Sequence, residues 1–258
     1  MLRGRTPVRS VEQANRLYGL KVAGFTGPKA QHPPADKAAY TSGESVAVTS
    51  YSALFNINPF FSGRHFIVLD DIHTAQQYIA GHWSVRVTRK DHGTAYDALT
   101  GFVRGVLPAT DVQKLVGPPS RWDHGWVEKL ATPMLFPHAA ELVAILDAQT
   151  AGTDLQFASA AVRDHIAACH LYVGTREILL RPLIPPTTTH APFAGARQRR
   201  YMSATLGAGG ELERLTGRPN IHRLPCRAGG TNTALDGACS CSRKAQSRTR
   251  RSTVYVPI

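Results

Sequence analysis

The sequence predicts an α/β fold built on a parallel β-sheet. Strand-like and helix-like segments alternate through the first 75 residues, which is the pattern of βαβ units. The apolar run Phe66–Leu69 ends in two adjacent carboxylates, Asp70 and Asp71, as expected for a buried strand that carries charge to the carboxyl edge of a sheet. With 258 residues, 43% of them hydrophobic, the chain is long enough to bury a core.

The alternation can be followed element by element. Apolar residues at helical spacing predict helices, and short apolar or β-branched runs predict strands. In chain order we expect a helix over Val11–Leu20, a strand over Lys21–Phe25, a helix over Ala35–Tyr40, strands over Ser45–Thr49 and Phe66–Leu69, and a helix over Thr74–Trp83.

The pattern changes between residues 93 and 170, which we interpret as a helical insertion. Its predicted helices are 95–106, 109–116, 126–130, 139–148 and 155–169. A two-stranded element turning at Gly174-Thr175 follows, then a strand over 197–203 and a helix over 211–215 closed by Gly217. The predicted organisation therefore has three parts: residues 1–92 form the first part of a lobe, residues 93–170 form the insertion, and residues 171–225 form the closing part of the lobe.

The tail, 226–258, has no apolar periodicity, and we expect it to be disordered. Its composition differs from that of the preceding chain, and we hypothesise a frameshift near Arg227. The alternative is a genuine basic tail whose Lys and Arg side chains bind phosphates. This segment holds six Lys and Arg and one Asp, and therefore accounts for +5 of the net charge of +12.

The charge indicates a polyanionic partner, with nucleic acid as the first candidate and an acidic membrane surface as the second. No apolar run approaches the roughly 18 residues that would span a bilayer. Four cysteines without Cys-x-x-Cys spacing give no zinc motif, and they favour a reduced, cytoplasmic setting.

Asp70, Asp71 and His73 form the first candidate site. A carboxylate and waters can hold a divalent cation on a nucleotide phosphate, and a second carboxylate can orient a water molecule. The alternative is a strand that ends in a solvated acidic turn. A metal-dependent hydrolase that uses these residues with His65 is a further alternative.

Two hydroxyl-rich segments follow predicted strands. Ser203 and Thr205 flank a small residue and can bond to an acid or an imidazole on an adjacent strand, or simply form a turn. Thr49, Tyr51 and Ser52 can contact a phosphate backbone, or cap a helix.

The order of these motifs resembles that of the superfamily 2 (DEAD/DEAH-box) helicases. Asp70-Asp71-Ile72-His73 resembles their Walker B motif, with Asp71 where Glu is more usual, and Ser203-Ala204-Thr205 resembles the motif that couples hydrolysis to strand movement. Val48–Ser52 resembles a nucleic-acid contact segment, and Thr26-Gly27 lies where such lobes place another backbone contact. The resemblance covers about Val11 to Pro225.

The resemblance implies a RecA-like (P-loop NTPase type) sheet with helices on both faces, an ATP hydrolase activity, and ATP and Mg²⁺ as cofactors. Asp70 would hold Mg²⁺ through water, Asp71 would act as the base, and His73 would link to Ser203 and Thr205. Thr26, Gly27, Thr49, Tyr51 and Ser52 would contact DNA or RNA.

The sequence departs from the family in two respects. It contains no Gly-x-x-x-x-Gly-Lys-Ser/Thr loop to hold the β- and γ-phosphates, and no second motor lobe with its arginine finger is recognised after Pro225. We expect that second lobe to be encoded separately. The resulting hypothesis is a helicase fragment, truncated at both ends, that is not a competent motor alone. The alternative is a non-enzymatic basic nucleic-acid-binding protein.

Overall fold

The computed structural model describes residues 13, 15–61, 66–117, 121–123, 125–203, 210–224 and 252–256. In this part the chain is a mixed α/β protein, which confirms the predicted class at that level. The strands are β1 (Val22–Phe25), β2 (Val46–Thr49), β3 (Phe66–Asp70), β4 (Val85–Thr88), β5 (Val127–Leu130), β6 (Cys169–Gly174), β7 (Glu177–Pro182), β8 (Gln198–Ser203), β9 (His222–Leu224) and β10 (Ser252–Val256).

The α-helices are α1 (Pro34–Ser42), α2 (Tyr51–Leu54), α3 (Ile72–His82), α4 (Gly93–Val103), α5 (Ala109–Val116), α6 (Thr132–Leu135), α7 (Ala139–Thr150), α8 (Gln156–Val162), α9 (Ala191–Ala194) and α10 (Glu211–Thr216). Residues 15–18 are also helical, within the first predicted helix. Short 3₁₀ turns occur at Lys29–Gln31, Arg121–Asp123, Phe136–His138, Arg163–Ala168 and Thr187–Thr189.

The predicted parallel pairing is present in two places. β1 runs parallel to β2, and Phe25 lies opposite Thr49. β3 runs parallel to β8, although residues 71–197 lie between the two strands in the sequence. Asp70 lies opposite Met202. The next residues along these two strands are Asp71 and Ser203, so the parallel register brings the two predicted motifs together.

The prediction of a single parallel sheet with helices on both faces requires correction. β1 and β2 form a separate two-stranded sheet, and β10 and β9 extend the β3–β8 pair in antiparallel fashion. Phe66 and Val68, on one face of β3, are 45% and 48% exposed. The helix that follows β3, α3, buries its apolar side chains on the opposite face, where Leu69 lies.

The segment predicted as a helical insertion contributes to an antiparallel sheet of order β4-β7-β6-β5. The predicted helix over 126–130 is wrong, because Val127–Leu130 is a strand that pairs with β6 and supplies partners to its backbone groups. The predicted strand pair that turns at Gly174-Thr175 is confirmed as β6 and β7. β4, which pairs with β7, was not predicted.

The predicted disorder of the tail is wrong for Ser252–Val256. These residues form β10, which lies between β8 and β9. β-branched and aromatic residues suit a strand, and β10 pairs with the edge of β8 that β3 leaves open. Residues 226–251, which include the proposed frameshift point at Arg227, lie outside the described part of the chain.

One apolar core packs against all three sheets of the described part of the chain. On the side of β3 and β8 it contains Leu69, Ile72 and Tyr201, and on the antiparallel side it contains Leu99 of α4 and Leu142 of α7. Tyr96 crosses this second part and donates a hydrogen bond to the carbonyl of Gly174 (2.9 Å). The core therefore fixes the antiparallel sheet against the strands that carry the candidate site.

Gly217 ends α10 where the helix meets the segment before α9. Its backbone is left-handed (φ +63°), and a Cβ atom there would overlap the carbonyl oxygen of Pro185. The hydroxyl of Thr187 donates to the carbonyl of Thr216 (2.6 Å) at the same junction. Only glycine fits this close approach of two backbones.

We expect Gly217→Ala to destabilise the protein by more than the roughly 1–2 kcal/mol that a left-handed alanine costs, because the clash adds to the backbone strain. Thermal and urea unfolding measure the change. The matched control is Gly43→Ala, since Gly43 is also left-handed (φ +82°) but a Cβ there meets no atom within 4 Å. Equal destabilisation by the two substitutions would contradict the packing argument.

Candidate functional site

Three hydrogen bonds connect the carboxyl ends of four strands. The hydroxyl of Thr49 at the end of β2 donates to the carbonyl of Phe25 at the end of β1 (2.8 Å). The phenol of Tyr51 donates to the carbonyl of Asp70 at the end of β3 (2.5 Å). The hydroxyl of Ser203 at the end of β8 donates to Oδ1 of Asp71 (3.5 Å). The ends of β1, β2, β3 and β8 therefore meet at one edge, although they belong to two sheets.

Asp71 occupies the turn between β3 and α3 in a left-handed conformation (φ +49°, ψ 59°). Aspartate is one of the few non-glycine residues that adopt this conformation readily. The hydroxyl of Thr74 donates to Oδ2 of Asp71 (2.6 Å), and the Thr74 N–H donates to the Asp71 carbonyl (2.9 Å). The exposed carboxylate is thus oriented from two sides, by Thr74 and by Ser203.

The other predicted catalytic residues lie around this turn or outside the described part. Asp70 is exposed at the end of β3, and His73 is partly buried in the first turn of α3. Thr205 lies outside the described residues, so the predicted links of His73 to Ser203 and Thr205 remain predictions. The structure brings Ser203 to Asp71, whereas the predicted link to Ser203 ran from His73.

The five predicted nucleic-acid contacts divide into two groups. The hydroxyls of Thr49 and Tyr51 are engaged in the bonds that join strand ends. Thr26, Gly27 and Ser52 are exposed at the same edge. The latter three are therefore the residues of this set that a ligand can reach most directly.

Burial raises the pKa of the Tyr51 phenol well above its ordinary value, and the neighbouring carboxylates of Asp70 and Asp71 raise it further. The phenol consequently stays protonated and remains a hydrogen-bond donor at neutral pH. Its bond to the Asp70 carbonyl is thus insensitive to pH in the physiological range.

Two open grooves flank the exposed side of α3. The larger groove has a volume of about 640 Å³ and is lined by Asp71, His73, Thr74 and Gln77, together with Arg181 of β7. The smaller groove, of about 330 Å³, lies between α3, the loop after α2 and Ala158 of α8. Sequence reasoning missed Gln77 and Arg181. The polar face of the predicted helix could have indicated Gln77, but no local pattern places Arg181 beside it.

Metal chemistry was predicted at Asp70 alone, and a rival hydrolase site at Asp70, Asp71, His73 and His65. Among the described residues, which exclude His65, no group of three His, Cys, Asp or Glu side chains converges as a metal site. The two exposed aspartates provide hard oxygen donors for a cation that takes its remaining ligands from water and phosphate.

Two imidazoles, His82 and His190, lie in contact with each other and with the ring of Trp83 beside the smaller groove; we call this group the histidine cluster. The rings of His82 and His190 are 4.8 Å apart, and Nε2 of His190 bonds to the carbonyl of Leu54 (2.8 Å). Burial, together with the neighbouring His190, lowers the pKa of His82 to about 4. Burial also lowers the pKa of His190. Both rings are therefore neutral at neutral pH.

No helix in the described part of the chain is long and apolar enough to cross a membrane. Comparison with protein-family models, curated proteins and solved structures finds no match for this chain.

The histidine cluster predicts a loss of stability in mild acid. Because the pKa of His82 is lower in the folded protein than in the unfolded chain, the unfolded chain binds more protons between pH 6.5 and about 4. Stability should fall as the pH falls through this window, with a decrease in Tm on the order of 5 °C.

A His82→Gln variant keeps a hydrogen-bonding side chain but cannot be protonated, so its Tm should fall less over the same window. The control His138→Gln replaces an imidazole outside the cluster and should not reproduce the effect. A pH dependence in His82→Gln that equals that of the wild type would show that the cluster does not control acid stability.

Proposed function

We propose that this chain is a RecA-like lobe of a superfamily 2 (DEAD/DEAH-box) nucleic-acid helicase, which binds nucleic acid and carries the acidic part of an ATP site. The observation that supports this most directly is the pairing of Asp71 with Ser203 across the parallel strands β3 and β8. The two residues come from motifs that are 132 positions apart and were identified by their order in the sequence.

The chemistry of such a lobe explains why these residues would be neighbours. A carboxylate that positions water against a phosphate must be held at a defined place, and Thr74 and Ser203 hold Asp71 from two sides. The bond to Ser203 also makes the position of β8 depend on the acidic turn. A change at the nucleotide would therefore reach the neighbouring strand through one hydrogen bond.

The nucleic-acid partner is supported by charge and by position. The chain carries a net charge of +12, which favours binding to a polyanion. Exposed Thr26, Gly27 and Ser52 lie at the same edge as the aspartates. Backbone amides and hydroxyls are common donors to phosphate oxygens. A strand that crosses this edge would pass next to the acidic turn.

The proposed cofactors are Mg²⁺ and ATP. The residues present suit Mg²⁺ better than they suit the phosphate chain of ATP. Asp70 and Asp71 offer exposed carboxylates at a strand end, which suit a Mg²⁺ ion that also binds phosphate and water. Bound Mg²⁺–ATP would supply the phosphoryl group that such enzymes transfer to water. The sequence contains no glycine-rich loop with a lysine to grip that phosphate chain, so this polypeptide alone is proposed to be a poor ATPase.

The second candidate is a non-enzymatic nucleic-acid-binding protein. The same absence of a phosphate-gripping loop and the same basic charge favour it. The two candidates differ at Asp71, because the helicase proposal gives this residue a role toward nucleotide and the binding-protein proposal does not. A Mg²⁺–ATP effect on nucleic-acid affinity that Asp71→Asn removes would favour the helicase lobe.

We expect the purified chain to bind labelled single-stranded oligonucleotides, and fluorescence anisotropy to show about a tenfold or greater loss of affinity between about 50 and 200 mM salt. Ser52→Glu should weaken binding several-fold because it places a negative charge at the proposed phosphate edge. The matched control is Ser42→Glu, since exposed Ser42 precedes β2 and lies near its amino end. No binding at low salt, or equal losses in both variants, would contradict the proposed interface.

ATP hydrolysis should stay at background with or without single-stranded DNA or RNA, and the rate should equal that of Asp71→Asn. Asparagine is tolerated in left-handed backbone, so this variant removes the charge and keeps the turn. A phosphate-release assay with and without Mg²⁺ measures the rate. A nucleic-acid-stimulated rate that Asp71→Asn abolishes would refute the proposal that the chain is a poor ATPase, while supporting the role of Asp71.

A further inference from the structure

The smaller groove opens beside the hydroxyl segment that follows β2. Its lining includes Ser52, Asn56 and Ile57 from α2 and the loop after it, Gln77, Tyr78 and His82 of α3, and Ala158 of α8. Its volume of about 330 Å³ suits a small ligand or one unit of a larger one. Since Ser52 also belongs to the proposed nucleic-acid edge, a strand bound at that edge would pass directly over the groove.

The lining combines apolar side chains with neutral polar ones. Among the described residues, no Asp, Glu, Lys or Arg lines the groove. Asn56 and Gln77 contribute amides, which present a donor and an acceptor side by side. The low pKa of His82 leaves its imidazole neutral. Such a lining suits a neutral ligand with alternating donors and acceptors at its edge, and it does not suit a phosphate.

The groove also provides flat apolar contacts. Tyr78 is 37% exposed, and its ring stacks on Tyr51 with centroids 6.1 Å apart and planes inclined by 28°. Ile57, which also lines the groove, is 54% exposed. An exposed aromatic ring and an exposed aliphatic side chain in the same groove favour a planar ligand that packs against them.

These contacts are held in place by bonds to neighbouring backbone. Oδ1 of Asn56 accepts a hydrogen bond from the Asn58 N–H (3.0 Å), which orients the amide. Tyr51, beneath Tyr78, is fixed by its bond to the Asp70 carbonyl. The ordering of these side chains before binding reduces the entropy that a ligand must overcome.

The adjoining larger groove supplies the charge that the smaller one lacks. Gln77 lines both grooves, so they meet along α3, and Arg181 lines the larger one. A guanidinium suits a phosphate oxygen, although the carboxylate of Asp71 also lines this groove. A nucleotide unit could thus place its neutral base in one groove and its phosphate toward the Arg181 side of the other.

We propose that the smaller groove receives an unpaired nucleobase of a bound single strand, stacked on Tyr78 and hydrogen-bonded by Asn56 and Gln77. This inference rests on the proposed nucleic-acid binding and adds that the protein reads the presence of a base as well as the phosphate backbone. Because Asn and Gln amides pair with nucleobase edges, the groove combines stacking with hydrogen bonding.

The test compares two labelled oligonucleotides of equal length, one with normal bases and one with abasic sites at successive positions. The wild type should bind the base-containing strand at least about five-fold more tightly, which corresponds to the lower end of base–aromatic stacking. Tyr78→Ala should reduce this preference and leave the affinity for the abasic strand unchanged, and Gln77→Ala should also reduce the preference. Gln113→Ala is the matched control, because exposed Gln113 on α5 lines neither groove.

Each outcome separates the inference from the proposed function. If neither strand binds, nucleic-acid binding fails and the inference fails with it. If both strands bind equally, the nucleic-acid function stands and the base groove is refuted. A free mononucleoside monophosphate that binds as tightly as the oligonucleotide, and loses affinity in Gln77→Ala, would assign the groove to a free nucleotide and overturn its assignment to a strand. Circular dichroism verifies that the variants are folded, and Gln77→Ala removes an exposed side chain, so it keeps the test valid if Tyr78→Ala does not fold.

Discussion

The parallel pairing of β3 with β8 is the constraint on which the candidate site depends. It sets Asp70 opposite Met202, and the strand ends that follow place Asp71 beside Ser203. A shift of one residue in this register would turn every side chain of β3 to the other face. Burial of Leu69 and Tyr201 on one face opposes such a shift, so the core fixes the geometry of an exposed polar site.

The fold was predictable where contacts are local or patterns are strong. Segments such as Ser45–Thr49 and Thr74–Trp83 carry the periodicity of their elements, and the structure has β2 and α3 there. β4 and β5 were missed because each depends on pairing with a strand that is distant in the sequence. The apolar spacing in 126–130 is compatible with a helix as well as with a strand. Pairing with β6 determines that Val127–Leu130 is a strand.

The site was predictable as a set of motifs but not as a set of contacts. Asp70 and Asp71 are adjacent in sequence, and Ser203 could be placed by its order. The use of the Tyr51 phenol as a tie to the end of β3 could not be predicted, because it requires the distance between two strands that do not pair with each other. The grooves could not be predicted for a similar reason. Arg181 lies beside α3 because of the position of β7 in the antiparallel sheet, which depends on contacts between distant parts of the chain.

The Tyr51 hydrogen bond has a thermodynamic consequence for the whole edge. It connects the hydroxyl segment after β2 to the backbone of the acidic turn, and the same ring supports Tyr78. Binding free energies at coupled sites are linked reciprocally. If a ligand at the segment 50–52 and a ligand at the acidic turn are coupled, each changes the affinity for the other by the same factor. The Tyr51 phenol is the hydrogen-bonded contact through which the two ends of this edge would be coupled.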